Sequence, residues 1–247
     1  MENPLYKLHL LLEQAHKEST RSHFHAQESL SFKETWSKVL EIDPNDNIAF
    51  MNAMSSVFKL LATSKEYIEK DERLNKPRNI DFLNKVEEAF SSLNFDSDMK
   101  HFRQYVKEET IMALSLLSDH IHLAYNLNES VLTVEEVNDL INEIDNLIDK
   151  ITNSNLSEQI TLILFKNLSL IRTSLNHYKV SGIKGVEEAL EQALGSILLN
   201  KKTLLPVVED ENVQGFFGII SKINSVLSAG VAVKELVAPL VDLITNK

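Results

Sequence analysis

Apolar residues at helical spacing constrain this chain more than anything else in it. Val134, Val137, Ile141, Ile144, Ile148 and Ile151 recur at intervals of three and four, which puts all six on one side of an α-helix. Thr133 and Glu136 stand at the start of this run with the spacing of a capping box, in which the two side chains serve opposite orphan amides of the first turn. The same period returns in segment after segment, and no stretch keeps the period of two that a half-buried strand requires. Six glycines and five prolines leave little room for turn-dense β structure. The expected fold is all-α, a multi-helix bundle of about eight or nine helices with mostly antiparallel neighbours.

Taken in order, Asn3 is a helix cap and Pro4 suits the first turn of a helix that buries Leu5, Leu8, Leu12 and Ala15. The polar run Ser19–Ser31 either continues that helix or breaks it. Phe32, Trp36, Val39 and Leu40 resume an apolar face, and Asp43-Pro44 stops it. Pro44 is expected to open the next helix, with Ile48, Met51, Ser55, Phe58, Leu61 and Ile68 sharing a side. After a loop around Pro77, Phe82, Val86, Ala89 and Phe90 face inward. A segment capped by Ser97 or Asp98 and running to Leu127 is apolar on most sides, through Ile111, Met112, Leu114, Leu116, Leu117, Ile121 and Leu123. That pattern predicts a central, well-covered helix with one of His120 and His122 in the core. Asn126–Ser130 reads as a boundary between an N-terminal helical half, 1–130, and a C-terminal half, 131–247. In the second half the helix through Ile151 turns back into one running from Ile160 to Tyr178, which Ser181-Gly182 ends. Val186, Ala189, Leu190, Ala193, Leu194 and Ile197 build another.

The last segment, Gly215–Ile244, is the one whose cover is open. Phe216, Ile219, Ile220, Ile223, Leu227, Val231 and Leu240 lie on one broad apolar stripe, and the opposite side is only weakly polar. Packing within the chain, against a partner helix or against a second copy is the default expectation, and a membrane is the alternative. Lys222, Asn224, Lys234 and Glu235 interrupt the run short of the ~20 apolar residues a span needs.

Composition excludes several classes of function. There is no cysteine, so disulfides, thiolate metal sites and thiol nucleophiles are absent. The net charge of −11 and the scarcity of clustered Lys and Arg argue against bulk nucleic-acid binding. Lys100, Arg103 and Lys107 align on one helix, but Asp98, Glu108 and Glu109 flank them. No signal peptide is visible, and a cytoplasmic, bacterial setting is expected.

Short motifs offer a few further readings. Asp43–Ala53, with Leu40–Ile42 before it, resembles the junction between tetratricopeptide repeats, but no second copy follows one repeat away. Glu13-x-x-His16 has the spacing used by di-iron bundles, with Asp98-x-x-His101 and Asp119-x-x-His122 as looser echoes; the full ligand set is missing, and neither metal nor cofactor is expected. His9, His16 and His23 recur every seven residues along the first helix. Arg172-Thr-Ser-Leu-Asn-His177 is similar to the Arg-x4-6-His element of HEPN-family ribonucleases, all-helical dimers of toxin and anti-phage modules. The resemblance implies His177 as proton-transfer group and Arg172 as the steadying charge on an RNA phosphate, although Thr173 stands where the family usually carries Asn or His. The expected function is that of a non-enzymatic interaction or assembly protein, a homo-oligomer or part of a hetero-complex. An HEPN-like ribonuclease and a membrane-acting effector are the alternatives.

Overall fold

The structure is a computed structural model that describes residues 3–24, 30–91, 94–125 and 132–227. Among these residues the regular structure is helical, with one isolated bridge between Ser31 and Asp98. The chain divides into two compact units, Asn3–Asn128 and Glu129–Lys247.

The N-terminal unit contains α1 (Pro4–Phe24), α2 (Phe32–Leu40), α3 (Asn47–Lys70), α4 (Pro77–Ser91), α5 (Lys100–Tyr105) and α6 (Glu108–Tyr125). Its centre is α2, a nine-residue helix buried on most of its circumference: Phe32, Thr35, Trp36, Ser37, Val39 and Leu40 are all inside. Ser31 and Glu34 form a capping box at its start, with Glu34 N–H donating to Ser31 Oγ at 3.2 Å and Ser31 N–H donating to Glu34 Oε2 at 2.8 Å. The next two amides, of Phe32 and Lys33, donate to the carbonyls of Ser97 and Phe95 at 2.7 and 2.9 Å. All three donors of the first turn are thereby satisfied from outside the helix. Trp36 is fully buried, with the rings of Phe90, Phe102 and Phe32 centred 5.5, 5.9 and 6.0 Å away. Helix α1 packs on α2, α3 and α6. Asn3 caps it as expected, its Oδ1 accepting from the amides of Leu5 and Tyr6, while its Nδ2 donates to the carbonyl of Ser118 on α6.

Four features of this unit depart from the sequence expectation. Helix α3 begins at Asn47, capped by Asp46, and it turns Phe50, Ala53, Met54, Val57, Leu60, Leu61, Ser64 and Ile68 inward. Ile48 and Met51, expected on the buried side, are exposed, and Phe58 is at the surface with its ring edge-on to Phe90. Two apolar rows coexist along α3, and the row through Phe50, Met54 and Val57 is the one turned inward. The predicted helix from Asp98 to Leu127 is two helices, broken at Val106–Lys107. That break and the short α10 raise the count to eleven α-helices among the described residues. Finally, α6 is not covered all round: Met112, Leu116 and Leu123 are 65%, 64% and 81% exposed, and both His120 and His122 face outward. Phe82, expected inward, is half-buried beneath the Lys85 ammonium.

The C-terminal unit contains α7 (Val134–Thr152), α8 (Glu158–Asn176), α9 (Tyr178–Leu199), α10 (Lys201–Leu204), a 3₁₀ turn (Leu205–Val207) and α11 (Glu211–Leu227). Helices α7, α8, α9 and α11 close on one apolar interior that includes Ile144, Leu164, Leu168, Ile171, Leu190, Ile197, Phe216 and Ile220. The Thr133–Glu136 capping box forms as read from the sequence. Gly182 sits at φ 62°, inside the span of α9, and turns the chain between Tyr178 and the straight part of that helix. Asp210 Oδ1 accepts from the amides of Asn212 and Val213 and so starts α11. The long apolar helix expected over 215–244 is described only as far as Leu227, and 228–247 lie outside the described residues.

Candidate functional site

Arg172 and His177 sit on the last turns of α8. The guanidinium of Arg172 meets Asp145 of α7 side by side, Nε to Oδ1 at 2.5 Å and Nη2 to Oδ2 at 3.1 Å. This is the paired geometry that a carboxylate offers to a guanidinium, and it occupies the fork a phosphate would use. His177 closes α8, its amide donating to the Thr173 carbonyl and its own carbonyl accepting from the amides of Val180 and Ser181. Its ring is half-buried, and that burial lowers its pKa below the ordinary histidine value. The helix C-terminus favours the charged ring, but desolvation is the larger effect, so His177 is neutral at neutral pH. Neither residue lines the shallow groove between α8 and α9, whose walls are Lys166, Leu170, Thr173 and Gln192. Asn167 forms the floor, its Nδ2 donating to the Ile163 carbonyl and to Ser196 Oγ.

The metal-like spacings on α1 lead elsewhere. His16 Nδ1 lies 3.0 Å from the Val106 carbonyl, and Glu13 is paired with Lys17 at 2.9 Å. His9 points into the seam with α6, its Nδ1 buried and without a hydrogen-bond partner. His101 Nε2 meets the Glu88 carbonyl. Among the described residues no group of three or more His, Asp or Glu could hold a metal ion. The side chain of His23 lies outside the described residues.

Phe216, Ile219, Ile220 and Ile223 are buried in the interior of their own unit, packed with α7, α8 and α9. Leu227 ends α11, and Val231 and Leu240 lie outside the described residues. The apolar surface that remains in view is on other elements and includes Met112, Leu116 and Leu123 on α6, Tyr6 and Leu10 on α1, Ile48, Met51 and Phe58 on α3, Val134 on α7, and Leu162, Phe165, Leu198 and Leu199 on α8 and α9. The signal for the α6 face was in the sequence. A helix apolar on most sides has an outward side too, and a six-helix unit covers only one of them. Among the described residues no helix is long and apolar enough to cross a membrane. Comparison with known protein families, with curated proteins and with solved structures gave no match.

Proposed function

We propose that this chain is a non-enzymatic α-helical assembly protein of the bacterial cytoplasm, acting through self-association or a protein partner. One observation carries the proposal: Met112, Leu116 and Leu123, which helical spacing places on one side of α6, are all more than half exposed. Exposed leucines scattered singly need no explanation, but a row of them along one helix marks a contact surface. Sedimentation of the full chain over a range of concentrations tests the reading. Reversible association is expected, and a monomer throughout, with no protein partner retained, would overturn it. A chain ending after Leu227 separates the contribution of 228–247 from that of α11, whose Phe216 and Ile220 the fold itself needs.

The placement of Arg172 and the half-buried His177 together at the end of α8 supports a second reading as an HEPN-like ribonuclease. In that reading Arg172 must exchange Asp145 for an RNA phosphate. RNA cleavage lost in both His177→Ala and Arg172→Ala would establish it, and cleavage unaffected by either would dismiss it.

A further inference from the structure

Going beyond the assembly reading, and not requiring it, we propose that the groove between α8 and α9 binds a free α-amino acid with a neutral, polar side chain, glutamine being the best fit. The two helices follow one another with only His177 between them and lie side by side in the C-terminal unit. Asn167 on α8 meets Ser196 on α9 at 3.0 Å, which sets their register and makes the floor of the groove. On an antiparallel pair Gln192, one turn before Ser196, then lies level with Leu170 and Ile171. The groove is therefore short and two-ended, with Lys166, Asn167 and Ser196 at one end and Leu170 and Gln192 at the other. Its volume of about 420 Å³ is at the small end of the range for small-molecule sites.

The first end is chemically unfinished. Asn167 is 3% exposed, and its Nδ2 is fully used, donating to the Ile163 carbonyl at 2.7 Å and to Ser196 Oγ. Those two bonds fix the orientation of the amide. They leave Oδ1 without a donor among the described residues, yet not sealed from solvent, so it opens on the groove that Asn167 lines. Ser196 Oγ, accepting from Asn167, keeps its own hydrogen to donate. Lys166 pairs with no carboxylate among the described residues, in a chain whose net charge is −11. An unmet acceptor beside a free ammonium and a free hydroxyl calls for a ligand with an acid group and a donor on adjacent atoms. An α-amino acid has that shape: its ammonium donates to Asn167 Oδ1, and its carboxylate accepts from Lys166 Nζ and Ser196 Oγ. A phosphate group fits less well, since one lysine leaves most of its charge unmatched and Asn167 Oδ1 would face another acceptor. The second end selects the side chain. Leu170 covers methylene groups, and the exposed Gln192 carboxamide offers one donor and one acceptor to a matching amide. Among the described residues no charged side chain lines that end, so a charged ligand side chain gains nothing there.

Isothermal titration of L-glutamine into the full chain tests the site. One site per chain is expected, with a Kd on the order of 0.1–1 mM, weak because the groove is open along one side. Lys166→Met should weaken binding about tenfold or more, the loss of one charge-assisted hydrogen bond, and Gln192→Ala severalfold. Both residues are exposed, so helicity by circular dichroism should be unchanged. The donor requirement is tested without altering the protein: glutaramate, which is glutamine without its amino group, should bind at least about tenfold more weakly. No saturable heat at millimolar glutamine overturns the proposal, as does glutaramate binding as tightly as glutamine or an affinity untouched by Lys166→Met. Displacement of glutamine by an equal concentration of inorganic phosphate also overturns it, and would make the groove a plain anion subsite.

Discussion

Two half-buried histidines contribute to how this fold responds to acid. His9 has its pKa lowered by burial in the α1–α6 seam, an effect that outweighs the opposing pull of Glu13 and Asp119 and is reinforced by Lys17. His177 is lowered by burial alone. The folded chain holds both rings neutral, whereas the unfolded chain takes up protons near the ordinary value of 6.5. Unfolding therefore binds protons, and stability falls as pH drops through 6.5 toward the lower folded values, then levels off below them. Urea midpoints measured at neutral pH and near pH 5 should show this loss, and His9→Phe should reduce it. A second residue-scale expectation concerns Gly182. At φ 62° and ψ −158° only glycine is unstrained, so Gly182→Ala should cost about 1–3 kcal/mol in denaturant unfolding. Replacing the Thr133 cap with Ala should cost about 1 kcal/mol by the same measurement. The cap was legible from four consecutive residues because both partners are local. The Arg172–Asp145 pair was not, since its members lie 27 residues apart and on different helices.

At the scale of the element, periodicity identified helices better than it oriented them. The spacing that marks α3 as a helix is carried by two rows, one through Ile48 and Met51 and one through Phe50, Met54 and Val57, and nothing local says which row meets α1. In α7 the inward set is Val137, Leu140, Ile144, Leu147 and Ile151; Ile141 and Ile148, expected on that side, are partly buried, and Val134, expected with them, is 71% exposed at the start of the helix. Helix α11 illustrates the opposite case, an apolar stripe whose destination sequence left open and whose described half fills its own unit. Phe216→Ala should therefore destabilise the chain by about 3–5 kcal/mol, read as a lower denaturant midpoint. Leu162→Ala, at an equally apolar but exposed site on α8, should stay within about 0.5 kcal/mol.

For the whole molecule, the all-α class followed from composition and period together, while the number of helices among the described residues did not. The break at Val106–Lys107 carries no proline or glycine to announce it. The charge of −11 predicts that duplex DNA and RNA will not bind measurably even at low salt, by fluorescence anisotropy; tight, salt-sensitive binding would contradict it. The aromatic nest around Trp36 has a practical corollary. It is the only tryptophan in the chain, it belongs to the N-terminal unit, and it is sealed from water. Indole emission from the native protein is therefore a built-in gauge of that unit alone: a red shift during urea or heat titration dates the moment its centre is wetted. Circular dichroism sums the helices of both units, so any lag between the two signals measures how independently the second one melts.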